Sequence, residues 1–151
     1  MKKIVLVLAL AFASSYAIAD STNLIIGGFS KHYENDEMNE KHPAIGVEID
    51  NFSIVYTSKN SINKPSVQLA YSDTFYTYGI FDIGYRVGFM TGYRYGTKYA
   101  NNRWYNGVDL GAGIAPLAAI DISVDTPIPS VKFVTSVTPV VTMFGLKIEL
   151  W

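Results

Sequence analysis

The stretch Gly79-Ile80-Phe81-Asp82-Ile83-Gly84-Tyr85-Arg86-Val87-Gly88-Phe89-Met90-Thr91-Gly92-Tyr93 decides the fold. Phe81, Ile83, Tyr85, Val87 and Phe89 alternate with Asp82, Gly84, Arg86 and Gly88, and a period of two marks a β-strand whose two faces meet different surroundings. One face wants hydrocarbon; the other wants space or water. The polar face of a soluble sandwich would look to bulk solvent and would have little use for so many glycines. Inside a narrow barrel the inner face is crowded, so glycine and mutually paired charges fit there.

The pattern repeats on both sides of this stretch. Ile45, Val47 and Ile49 oppose Gly46, Glu48 and Asp50; Val67, Leu69 and Tyr71 oppose Ser66, Gln68, Ala70 and Ser72; Phe144, Leu146, Ile148 and Leu150 oppose Met143, Gly145, Lys147 and Glu149. Strands are therefore expected near 23–33, 43–51, 53–61, 65–75, 79–93, 108–124, 129–138 and 141–151. Eight is an even number, as a closed antiparallel up-and-down barrel requires, so the fold class is an all-β, eight-stranded transmembrane barrel. Gly111, Gly113 and Pro116 interrupt the run 108–124. Proline lacks the N–H of the ladder, so a bulge or a gap that opens sideways toward lipid is expected there. Tight turns are read near Asn51-Phe52 and Thr138-Pro139, and longer polar loops at Glu34 to Lys41 and Gly96 to Asn106, on the outer side.

Met1-Lys2-Lys3 and the apolar run Ile4 to Ala13 read as an export signal, too short to span a bilayer as a helix. Ala17-Ile18-Ala19 has the small-x-small pattern of a cleavage site, which predicts a signal peptide over 1–19 and a single barrel domain over 20–151. The destination is the outer membrane. With no cysteine the chain has no disulfide framework and no thiolate metal site. Its 12 basic against 13 acidic residues give no electrostatic footprint for nucleic acid. Eleven tyrosines, eight phenylalanines and two tryptophans suit a membrane interface.

His32, Glu34, Asp36 and Glu37 match no Ca²⁺ loop and are read as loop charges, so no metal is expected. His42, next to Pro43, is read as a loop histidine. His32 stands at the outer end of the first strand, on the face of Gly28 and Ser30. Asn39-Glu40 and Lys59-Asn60-Ser61-Ile62-Asn63-Lys64 follow it in order.

This ordered set resembles the lipid A palmitoyltransferase family (PagP), eight-stranded outer-membrane barrels that move an acyl chain from a phospholipid to lipid A. The matching positions are His32, Asn39-Glu40, Lys59-Asn60-Ser61 and Asn63-Lys64; Gly84 to Thr91, Ala115-Pro116-Leu117 and Ile128-Pro129 are similar to the family's fifth strand and its proline-marked lateral openings. The resemblance implies His32 as the base, Ser61 as the hydroxyl it acts on or through, and Asn60 at the carboxylate position. It implies membrane phospholipid and lipid A as partners, a monomer, and no cofactor. Inward glycines (Gly46, Gly84, Gly88, Gly113) are expected to leave room for one acyl chain, or to relieve crowding in a narrow barrel.

Four departures accompany the likeness. Asn60 replaces an aspartate; in a serine-protease triad such a change costs roughly 10⁴ in rate. Asp73 lies one strand later. The first loop and second hairpin are shorter, the family's N-terminal helix is not expected after Asp20, and Trp151 is out of phase with Leu150 and Ile148. The alternatives are a non-catalytic barrel with a structural or surface-interaction role, and a soluble periplasmic barrel with its apolar face turned inward.

Overall fold

Ten strands form in the structure, a computed structural model that describes residues 21–34 and 37–150. They are β1 (Thr22–His32), β2 (Lys41–Ile49), β3 (Phe52–Thr57), β4 (Ser66–Tyr78), β5 (Phe81–Met90), β6 (Lys98–Ala100), β7 (Arg103–Trp104), β8 (Ala115–Asp125), β9 (Val131–Val137) and β10 (Val141–Glu149). Eight of them close a barrel in the order β1-β10-β9-β8-β5-β4-β3-β2, every pair antiparallel. The eight-stranded all-β reading therefore holds. The short β6–β7 hairpin decorates the loop between β5 and β8. The expected signal segment and Trp151 lie outside the described residues.

The alternating segments turn their apolar residues outward, with Asp73 on the outer face of β4 as an exception. Ile45, Leu69, Val87, Phe89, Ile120 and Leu146 are exposed on the outer wall, whereas Glu48, Arg86 and Asp121 are buried in the lumen. A soluble barrel with its apolar face inward would show the reverse.

The lumen of an eight-stranded barrel is about wide enough for side chains to fill or for one small ligand. This one does both. In the half nearer the turns at 50–51, 79–80 and 126–130, Lys132 pairs with Asp82 at 2.6 Å and Asp125 at 3.2 Å, Lys147 with Glu48 at 2.7 Å, and Arg86 with Asp121 at 2.8 Å; the tight turn at Thr138-Pro139 lies at the opposite end. Glu48 also accepts from Ser72 Oγ at 2.9 Å and Asn23 Nδ2 at 3.3 Å. Above this plug the other half opens into a cavity of about 430 Å³, with Arg86 and Lys147 among its lining residues and Ile25, Val55, Leu117 and Val134 on its walls.

The inward glycines do not make that space. A Cβ at Gly46, Gly84 or Gly88 would strike neighbouring-strand carbonyl oxygens (Ile54, Asp73, Leu69) at 2.3, 2.4 and 2.1 Å, so glycine there permits close strand approach. Gly113 lies in a loop with φ +79. The cavity runs instead past Gly27, Gly28 and Gly145, and a Cβ at Gly28 would meet nothing within 4 Å.

Two irregularities shape the cavity. In β1 the register shifts between Gly27 and Phe29 against both neighbours. Before the bulge Asn23 and Ile25 face inward; after it Ser30 and His32 do. An extra residue reverses the phase of everything beyond it. Without it His32 would point outward.

The second irregularity is a gap in the wall. The β8–β9 ladder runs from Ile120↔Val137 to Asp125↔Lys132, so Ala115 to Ala119 extend past the end of β9. Outward-facing Pro116 and Ala118 on one side, and Pro139, Val140 and Phe144 on the other, line the same cavity as Leu117 and Val134. The cavity thus passes sideways through the wall, at Pro116 as the sequence predicts. Pro129 differs from its expected place: it sits in the turn at the opposite end of the barrel, and Pro139 flanks the gap instead. The strand expected from 108 begins at Ala115, because Asp109 gathers the amides of Tyr95, Gly111 and Gly113 at 2.8–3.0 Å into a loop.

Candidate functional site

Four connections meet at the cavity end of the barrel: 33–40 between β1 and β2, 58–65 between β3 and β4, 91–114 between β5 and β8, and 138–140 between β9 and β10. Backbone bonds tie the first to its neighbours, Asn39 N donating to Ser61 O at 2.9 Å, Ser30 N to Glu40 O at 2.9 Å and Tyr33 N to Val140 O at 3.2 Å. Asn39 Nδ2 also donates to Lys41 O at 2.8 Å and Asn60 O at 3.2 Å. Asn39 is therefore the clamp that holds the first loop to the serine loop. Its neighbour Glu40 accepts from the His32 amide at 3.2 Å and from Lys31 Nζ at 3.0 Å. The Lys31 ammonium, followed by that amide, holds the Glu40 carboxyl below its ordinary range.

His32 and Ser61, far apart in sequence, meet here. His32 Nε2 lies 2.9 Å from Ser61 Oγ, and both residues are buried. The Tyr93 hydroxyl reaches Ser61 Oγ at 3.4 Å. Burial raises the phenol's pKa, so Tyr93 stays a neutral donor. Among the described residues, the buried His32 Nδ1 has no hydrogen-bond partner, so none of them orients the ring or steadies an imidazolium at that atom.

Asn60 takes a different place from an acid in a triad. Its Oδ1 accepts from the amides of Ile62 and Lys64, each at 3.0 Å, and its Nδ2 donates to Gly92 O at 3.1 Å. These bonds close the Asn60–Lys64 turn, in which Asn63 takes φ 59, a conformation asparagine tolerates. Gly92 completes the arrangement: its φ is +83, and a Cβ would sit 2.4 Å from Pro65 O and 3.0 Å from Asn60 Nδ2. Asn60 thus positions Ser61 through the backbone. Asp73, the other acid considered, is exposed on the outward face of β4 and accepts from its own neighbour Thr74 N at 2.8 Å.

Asn60→Asp tests this placement. An aspartate keeps the two acceptor bonds but sets an oxygen against the Gly92 carbonyl, a buried mismatch costing about 1–3 kcal/mol. We expect a lower unfolding midpoint in urea and no gain in any activity of the site; a gain in activity would show that the side chain does serve His32.

The structure corrects the reading of His42 as a loop histidine, since it lies within β2 (Lys41–Ile49). His42 shares the inward face of β2 with Ala44, Gly46 and Glu48, and its Nε2 lies 2.6 Å from Ser30 Oγ. Its Nδ1 lies 3.0 Å from Lys59 O. The His32 and His42 rings stand edge to face with centroids 6.3 Å apart. The signal was present: extending the period of β2 one residue before Pro43 puts His42 in the lumen. Of the acidic loop residues near His32, Glu37 pairs with Arg103 at 2.9 Å.

No family model matches the chain, and no curated protein does.

Proposed function

We propose that the chain is an outer-membrane acyltransferase that moves an acyl chain from a phospholipid to lipid A. The observation that carries this reading is a buried His32–Ser61 pair at the rim of a cavity that opens sideways through the barrel wall. An apolar outer wall with a charged, internally paired lumen suits lipid on one side and closed backbone hydrogen bonding on the other. An acyl chain enters a cavity by the side only where the ladder is broken, as it is between β8 and β9. The cavity volume falls within the range of small-molecule sites. At its mouth His32 takes the proton of the acceptor hydroxyl, directly or through Ser61, as that oxygen attacks the ester carbonyl. Ser61 and Tyr93 hydroxyls are the nearby donors for the developing oxyanion. The chemistry needs no cofactor.

Mass analysis of lipid A from cells expressing the chain is the test. A product heavier by one acyl chain is expected, and unaltered lipid A overturns the reading. A second reading, a non-catalytic barrel with a structural or surface-interaction role, draws on the neutral, backbone-bound Asn60 and on a His32 Nδ1 without a partner among the described residues. It requires lipid A to stay unchanged.

A further inference from the structure

The second serine–histidine pair, Ser30 and His42, is more completely assembled than the first. Lys59 O is a carbonyl oxygen and can only accept, so the proton shared with it belongs to His42 Nδ1. In the neutral ring that leaves Nε2 as an acceptor, and the hydroxyl 2.6 Å away, Ser30 Oγ, must donate to it. Nucleophile, base and orienting group therefore stand in line, the third place being taken by a backbone carbonyl. Among the described residues His32 Nδ1 has no such partner to set the tautomer. Both Ser30 and His42 line the cavity, and Ser30 is buried against the bulge at Gly28 that turns it inward.

We infer that Ser30 is a nucleophile activated by His42, and that acyl transfer passes through an ester on Ser30. The inference rests on the acyltransferase reading and divides its reaction in two. In the first half Ser30 Oγ attacks the ester carbonyl of the phospholipid while His42 Nε2 takes the serine proton. The bond to the glycerol oxygen breaks, that oxygen receives the proton from His42, and a lysophospholipid leaves. In the second half the acceptor hydroxyl oxygen attacks the acyl-Ser30 carbonyl and His32 takes its proton. The Ser30–acyl bond breaks; Ser30 recovers a proton from water by way of His42, and His32 returns its own to water.

The inference separates the two histidines by step. Loss of His42 stops release of lysophospholipid, whereas loss of His32 leaves acyl-Ser30 able to form and slow to discharge.

An alkyl fluorophosphonate tests the nucleophile on the full-length protein in detergent micelles, without need of substrate. Serine attack forms an O–P bond and expels fluoride, and peptide mass analysis reads the site. The phosphonyl adduct is expected on Ser30 of the unaltered protein, with His42→Gln labelled about 10²-fold more slowly or worse. An adduct on Ser61, or a folded barrel with Ser30 unlabelled, overturns the inference. Ser30→Cys guards against a folding defect: a thiol at that position is expected to trap the acyl group as a protein-bound thioester, and its absence in a folded variant counts against the nucleophile. Failure of the wider reading looks different. Ser30 labelled while lipid A gains no chain sinks the acceptor assignment, whereas lipid A acylated at full rate by Ser30→Ala sinks only the covalent step.

Discussion

Acyl transfer to lipid A is expected to fall by about 10²–10⁴-fold when His32 is replaced by alanine, the range over which a positioned general base acts. Folding should scarcely notice. Among the described residues the ring makes one side-chain hydrogen bond, to Ser61 at 2.9 Å, and carries a buried nitrogen with no partner, so its removal also removes an unsatisfied polar atom. Tyr93 remains beside Ser61 to satisfy its hydroxyl. Activity and stability are thereby separated in one variant, read by lipid A mass analysis and by the heat-dependent mobility of the barrel. His32→Gln sharpens the result, because an amide can bond Ser61 but cannot carry the proton. Equal loss in both variants assigns the effect to proton transfer. Transfer retained by His32→Gln would mean that the ring only holds Ser61 in place, and the base would have to be sought elsewhere.

How far the site could be read from the sequence depends on which interactions are local. The alternation of Phe81 to Phe89 decides which side chains face out because a strand's period is fixed by its own backbone, and the exposed Val87 and buried Arg86 follow from it. Pro116 announces the gap in the wall for the same reason, as its missing N–H is a property of the residue. The meeting of His32 with Ser61 lies further from what local pattern can tell. It depends on the bulge at Gly28, which reverses the phase of β1, and on Asn39 clamping one loop to another. The Gly27-Gly28 pair hints at a bulge, but only the register with β2 and β10 reveals it. Register also explains the inward glycines. Gly46 and Gly88 admit the backbone of an adjacent strand, a neighbour that no pattern within their own strands identifies. His42 was one residue outside its expected strand, and Asn60 carried an expectation drawn only from a resemblance; the partners of its side chain are all backbone groups.

The largest loss of stability is expected at Glu48, which does no chemistry. Its carboxylate is 3% exposed as a residue and holds Lys147, Ser72 and Asn23 together across the lumen. Glu48→Ala leaves the Lys147 ammonium facing a half-empty lumen and strips two polar side chains of their acceptor, and breaking a buried ion pair on one side costs about 3–5 kcal/mol. The fall should appear as a lower urea midpoint for unfolding from detergent micelles. Glu48→Leu combined with Lys147→Met removes both charges and fills the same space, so it should recover most of the loss. A single variant as stable as the parent, or a double variant no better than the single, would show that the charges do not act as a pair. The outcome bears on function through the cavity floor. Lys147 and Arg86 line the bottom of the cavity, and the bonds of Glu48 and Asp121 hold them there. A barrel that loses Glu48 admits water from below into the space where an acyl chain must lie, so transfer should weaken along with stability, and the double variant should restore the two together.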